Sequence, residues 1–153
     1  DYLTFSAREN LTNFLVSEIA MKNALKMAGI SLWDIQILEL YDQSTAMEMI
    51  SLEDLGFCKR GKAWASIYDS CQDYKGYYEI DGKKIFVNMD GGLKADGNPL
   101  GATGGAQIFE IFKQLRSEAG ERQVKTDKEL NYGSILELEG FGTKGYVYIF
   151  GRD

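Results

Sequence analysis

The sequence predicts an α/β domain in which a mixed β-sheet is layered with helices. Three observations carry that prediction. Apolar residues recur at helical spacing in several segments, and short β-rich apolar runs fall between them. The resulting order, α-β-α, hairpin, α-β-β, is that of a layered sandwich. The length of 153 residues fits one domain over residues 1–153, large enough to build a core without disulfides or metals.

The elements follow in order. Ser6 and Glu9 have the spacing of a capping box, and Leu11, Phe14, Leu15, Ile19, Met21, Leu25 and Ala28 keep an apolar face, so residues 7–28 read as helix ending at Gly29. Residues 35–40 read as a buried strand. Thr45 and Glu48 suggest a second capping box and a helix over residues 45–54, stopped by Gly56. Residues 57–76 read as irregular. Residues 77–80 and 84–88 flank Asp81-Gly82, a strong hairpin signal. Ile108, Phe112, Leu115 and Ala119 line one face of a helix over about residues 103–118, stopped by Gly120. Residues 134–138 and 146–150 read as the last two strands, joined by a glycine-containing turn.

Composition excludes several classes. Apolar residues make up 44% and charged residues 26%, an ordinary globular balance. A net charge of −6 argues against nucleic-acid binding, which needs a basic face. No apolar run approaches the roughly 20 residues that span a bilayer. The polar, mixed residues 1–11 predict no signal peptide, and the expected location is the cytoplasm. Cys58 and Cys71 are expected as free thiols, and no metal-ligand spacing is present. The chain has no histidine. That removes the commonest general base near neutral pH and excludes Ser-His-Asp or Cys-His catalysis within these residues.

Two places stand out. Tyr41 and Asp42 lie at the carboxyl end of a strand just before a helix, where open α/β sheets bind ligands. Asp42 also stands where it could cap that helix. Residues 88–105 are dense in glycine, and Gly91, Gly92, Gly97 and Gly101 fall outside any periodic pattern. Such glycines permit positive φ and close approach of backbone to a ligand, so these four are candidate substrate-binding residues. Lys59, Arg60 and Lys62 form a cationic cluster that either is solvated or attracts phosphate.

The glycine stretch resembles the thiolase superfamily pattern N-x-x-G-G-x-x-x-x-G-H-P-x-G-x-[ST]-G. It stands here as Asn88, Gly91-Gly92, Gly97-Asn98-Pro99, Gly101 and Thr103-Gly104. Every fixed position matches except the histidine, which is Asn98. Tyr41-Asp42 takes the place of an H-D or N-E dipeptide, and residues 52–58 resemble the archaeal and sterol-carrier-protein branch. The resemblance runs from about residue 8 to residue 152 and implies the C-terminal half of a thiolase.

The resemblance implies a coenzyme A thioester as substrate or ligand, with no tightly bound cofactor. It implies that the nucleophilic cysteine lies in an N-terminal half outside these residues, on the same chain or a separate subunit. A homodimer is expected, together with a possible zinc-containing oligonucleotide-fold partner that holds acyl-CoA, as in related archaeal complexes. The candidate catalytic residues are Tyr41 and Asn98. Asn98 can donate to an oxyanion but cannot act as a base. Tyr41 can donate, and acts as a base only if its pKa falls well below about 10. Alignment by the terminal strand places Leu136 or Leu138 where the family has its other acid–base group. Three readings follow: a degenerate half that supports fold, dimer and acyl-CoA site; a tyrosine-dependent retro-aldolase acting on a β-hydroxyacyl-CoA; and a non-catalytic subunit of an acyl-CoA-processing complex.

Overall fold

The computed structural model describes residues 7–73 and 75–152. Five strands form one sheet in the order β2-β3-β1-β4-β5. They are β1 (Ile37–Leu40), β2 (Tyr78–Ile80), β3 (Lys83–Val87), β4 (Tyr132–Glu139) and β5 (Lys144–Gly151). The central β1 runs parallel to β3 and β4, while β2 and β5 pair antiparallel at the edges. The sheet is therefore mixed, as the sequence predicts. β1 is buried at every position, because helices cover both of its faces.

One face packs against α1 (Leu15–Ala28) and α2 (Thr45–Asp54), with α3 (Ala63–Asp73) against α2 and β2. Its core includes Met21, Leu38, Leu40, Leu52, Phe57 and Leu136. The other face packs against α5 (Thr103–Leu115), through Ile37, Phe86, Ile111, Leu115 and Ile135. A Cβ on Gly133 would lie 2.7 Å from Ile111, so glycine lets α5 settle close to β4.

Several expectations change. The first helix starts at Leu15, not at residue 7. Ser6 lies outside the described residues, so its capping box is not tested. Residues 7–14 are held by distant partners: Arg8 donates to the Phe141 carbonyl at 2.7 Å, and the Phe14 N–H donates to Asp54 at 2.8 Å. Ser44, not Thr45, caps α2 by accepting from the Met47 N–H, while Glu48 accepts from the Tyr78 hydroxyl at 2.6 Å.

The segment expected to be irregular contains α3. Its start is capped from α2, where Glu53 accepts from the Lys62 and Ala63 N–H groups. A short helix, α4 (Gly92–Asp96), sits inside the glycine stretch. The helix expected to end near residue 118 ends at Leu115, and Gly120 instead opens a 3-10 turn. The hairpin turn has positive φ at both Asp81 and Gly82, as that dipeptide demands. No described helix is long and apolar enough to cross a membrane.

Candidate functional site

The glycine stretch folds against the carboxyl ends of β1 and β3. Asn88 leaves β3 with φ 48°, and its side-chain oxygen accepts from the Leu40 N–H at 2.7 Å. That bond ties the end of β3 to the end of β1. Asp42, buried just beyond β1, accepts from the Leu93 N–H at 2.8 Å. It therefore serves the first turn of α4, while Ser44 caps the helix that follows Asp42 in sequence.

The four candidate glycines divide. Gly91 has φ 101° and a Cβ there would lie 2.5 Å from Ala95. Gly92 has φ 63° and sits against the Asp42 carboxylate. The fold itself requires both. Gly97 has φ 81° with open space beside it, and Gly101 has neither positive φ nor a neighbour within 4 Å. The local packing of Gly101 does not explain why glycine stands there.

Tyr41 and Asn98 come together. The Asn98 side-chain amide donates to the Tyr41 hydroxyl at 3.2 Å. Its oxygen accepts from the Leu100 N–H at 3.1 Å and the Thr103 hydroxyl at 3.3 Å. Two donors converge on that oxygen, so the NH₂ end must face Tyr41. One amide hydrogen and the Tyr41 hydroxyl hydrogen remain to be given. The pair forms a small donor array at the strand ends, the arrangement that holds a developing oxyanion. Beside it lies a cavity of about 80 Å³ lined by Leu93, Pro99 and Thr103 and by the carboxyl-bearing residues Glu39, Asp90 and Asp96. A larger open cleft, of about 810 Å³, lies at the opposite end of the sheet near Trp33, Lys83 and Tyr132.

Neither leucine matched to the third acid–base position can do proton chemistry. Leu136 and Leu138 point into the α1–α2 core and are 0% and 4% exposed. Side chains alternate along a strand, so the residue between them, Glu137, faces α5. A Cβ on Gly104 of α5 would lie 3.8 Å from the Glu137 side chain. Burial pushes the Glu137 carboxyl up to about 7. Matching the strand ends without fixing the face missed it; period-two alternation was the available signal.

Of the cationic cluster, Arg60 is tied to Asp54 and Glu18. Among the described residues, no group of three or more His, Cys, Asp or Glu side chains is placed to hold a metal.

These features define a layered α/β domain with a donor array at the carboxyl ends of its parallel strands. Comparison with known proteins places that class. The family described as thiolase C-terminal domain-like matches residues 1–152, and the chain belongs to that family. It is 39% identical over 145 residues to acetyl-CoA acetyltransferase of Methanothermobacter thermautotrophicus, covering 95% of this chain and 35% of that protein. It is 33% identical over 151 residues to the acetyl-CoA acetyltransferase of Methanocaldococcus jannaschii, covering 97% and 37%. Human sterol carrier protein 2 is 38% identical over 114 residues, 74% of this chain and 20% of that one. The chain thus spans about a third of the length of its archaeal relatives. Among solved structures, an Ltp2-ChsH2(DUF35) aldolase superposes with a TM-score of 0.73 at 22% identity, over 96% of this chain and 34% of that one. At that identity the likeness is one of fold.

Proposed function

We propose that this domain supplies the oxyanion-holding side of an acyl-CoA site in a thiolase-fold protein. The observation that carries the reading is the oriented hydrogen bond from Asn98 to Tyr41. A thioester carbonyl seated there would receive hydrogen bonds from the Asn98 amide and the Tyr41 hydroxyl. Such donors stabilise the charge that develops when the thioester becomes an enolate. The open backbone at Gly97 and Gly101 leaves room for the thioester chain. Its ligand is a coenzyme A thioester, and no tightly bound cofactor enters the reading.

The nucleophile of ordinary thiolase chemistry belongs to an N-terminal half, in the same polypeptide or a separate subunit. Asn98 cannot accept the nucleophile's proton as a histidine does, so ordinary acyl transfer is not the expected activity. A cytoplasmic homodimer is part of the proposal, as is a zinc-containing oligonucleotide-fold partner that holds acyl-CoA.

Titration of acetyl-CoA onto the full polypeptide tests the reading. Asn98→Asp keeps the acceptor that Leu100 and Thr103 use but replaces the donor with a negative charge. It should weaken binding at least about tenfold, a loss of roughly 1.4 kcal/mol. Equal affinity in wild type and variant, or acetoacetyl-CoA formation at ordinary thiolase rates, would sink the proposal.

A second reading is a retro-aldolase for β-hydroxyacyl-CoA. Tyr41 favours it, because a retro-aldol step needs a base at the substrate hydroxyl, and the Tyr41 oxygen that accepts from Asn98 is the acid–base group at the strand end. The similarly folded structure is itself named an aldolase. Cleavage of a β-hydroxyacyl-CoA that survives unchanged in Tyr41→Phe would remove this reading.

A further inference from the structure

We infer that the cleft at the amino ends of the parallel strands binds a nucleoside polyphosphate, at a site separate from the one that holds Tyr41 and Asn98.

Shape comes first. The cleft has a volume of about 810 Å³. That lies within the roughly 300–1,000 Å³ of small-molecule pockets. Its walls are the amino ends of β1, β3 and β4, the loop residues 125–128, and Arg152 just beyond β5. Tyr41 and Asn98 lie at the other end of these strands.

The walls are tied together. The Gln36 side chain donates to the Glu129 carbonyl at 2.8 Å and accepts from the Asn131 N–H at 2.6 Å. It thus holds the segment before β4 against the start of β1. The Arg152 N–H donates to the Asn131 carbonyl at 2.9 Å, which brings the end of β5 to the same place. The Lys128 N–H donates to the Thr126 hydroxyl at 3.2 Å and closes the loop on itself. A wall already in place loses less entropy when a ligand enters.

Charge comes second. The chain carries −6, yet Lys83, Lys84, Lys125, Lys128 and Arg152 all line this cleft and all are exposed. Among the described residues, none of the four lysines has an ion-pair partner. Arg152 pairs with Glu129 at 3.1 Å, between exposed side chains, a contact that a ligand can replace. The opposing acids are Asp34 and Asp127. Asp34 is engaged locally, accepting from the Ser31 N–H at 2.7 Å. Gathered like charges work against the folded state, and a concave wall focuses their field on whatever enters. A multiply charged anion offsets the repulsion.

The rings decide which anion. Trp33 and Tyr132 line the cleft, and both are half-buried. Trp33 rests edge-on against Phe57 at 5.7 Å, and the Lys83 ammonium lies 5.1 Å from its ring centre. A Cβ on Gly151 would lie 3.1 Å from the Tyr132 ring, so glycine there lets the ring lie across β5. Aromatic surface beside cations suits a base that stacks while its phosphates meet the lysines. Inorganic polyphosphate makes no use of the rings, and a concavity of this size encloses a nucleotide better than an acidic protein segment.

ATP, tripolyphosphate and acetyl-CoA, each titrated onto the full polypeptide by calorimetry, test the inference. ATP should bind, and its affinity should fall as salt is raised. Tripolyphosphate should bind about tenfold more weakly or worse, for want of a base to stack. The double variant Lys125→Glu, Lys128→Glu changes exposed loop residues and should keep the wild-type Tm. It should weaken ATP at least about tenfold and leave acetyl-CoA within about twofold. Asn98→Asp should do the reverse, sparing ATP. No binding of ATP, or equal ATP affinity in the double variant, overturns the site while the acetyl-CoA titration still reads the acyl-CoA site by itself. Tripolyphosphate binding as tightly as ATP overturns the nucleotide as its ligand. Parallel loss of ATP and acetyl-CoA in either variant would mean one shared site, and overturns the inference.

Discussion

The Asp42 carboxylate fills the space where a Gly92 side chain would be. A Cβ at residue 92 would lie 2.7 Å from Asp42 Oδ1 and 2.8 Å from Asn88 Nδ2, closer still to Asp42 Oδ2. Asp42 cannot retreat freely, because it is buried and accepts from the Leu93 N–H. Gly92 also has φ 63°, which costs an L-residue about 1–2 kcal/mol. Gly92→Ala should therefore lose on the order of 2–4 kcal/mol, read as a fall in Tm by calorimetry. Gly101→Ala, with open space and no positive φ, should stay within about 0.5 kcal/mol. Equal Tm values for the two variants would show that the Asp42–Gly92 contact is not required.

Asp54 should make stability fall as pH rises. Its carboxyl accepts from the Phe14 N–H and pairs with Arg60, joining the start of α1 to the end of α2. Burial outweighs those partners and raises its pKa from 3.8 to about 6. Between those values the folded state holds a proton that the unfolded chain has lost. The stabilisation from this group is full below pH 3.8 and is gone once pH exceeds about 6. The amplitude is on the order of 2–3 kcal/mol. Asp54→Asn should lack that slope in denaturant titrations between those pH values. Parallel pH profiles for wild type and variant would exclude it.

The parts legible in the sequence share one property: their signals are local. β1, the Asp81-Gly82 hairpin, α2 and α5 announce themselves by apolar period or turn chemistry within a few residues. α3 does not, because its cap is Glu53 from another helix. The start of α1 does not, because residues 7–14 are held by Phe141 and Asp54, remote in sequence. The meeting of Tyr41 and Asn98 was legible only through the family resemblance, since 57 residues separate them. Glu137 was missed by one position, and on a strand one position reverses the face.

The two cysteines should react at very different rates. Cys71 is exposed on α3, whereas Cys58 is buried. Burial, and then the charge of Glu53, push the Cys58 thiol up to about 11. Since the thiolate is the nucleophile, iodoacetamide at mildly alkaline pH should label Cys71 first. Peptide mapping should find Cys58 modified only after denaturant is added. Comparable labelling of both in the native protein would contradict the burial of Cys58.

The outer face of α5 should be covered in the full protein. Ile108, Phe109 and Phe112 are exposed there, and Tyr146 and Tyr148 of β5 are exposed on the same side of the sheet. The register of β5 places both tyrosines on the α5 side, since they pair with Glu137 and Ile135. Five large apolar residues exposed on one side of a sheet mark a contact with another unit, whereas apolar residues scattered singly over a surface do not. The chain spans about a third of its archaeal relatives, so in a protein of their length the N-terminal half is the natural occupant. If that half covers the face, Phe109 and Phe112 are each worth about 1.5–3 kcal/mol of burial in the full polypeptide. Replacing both by serine should then lower its Tm by several degrees or release the two halves from one another. Met27→Ser is the control: Met27 is 88% exposed on the opposite layer, and its loss should change little. If the double serine variant matches Met27→Ser in full-length protein, the α5 face is solvated and the N-terminal half packs elsewhere.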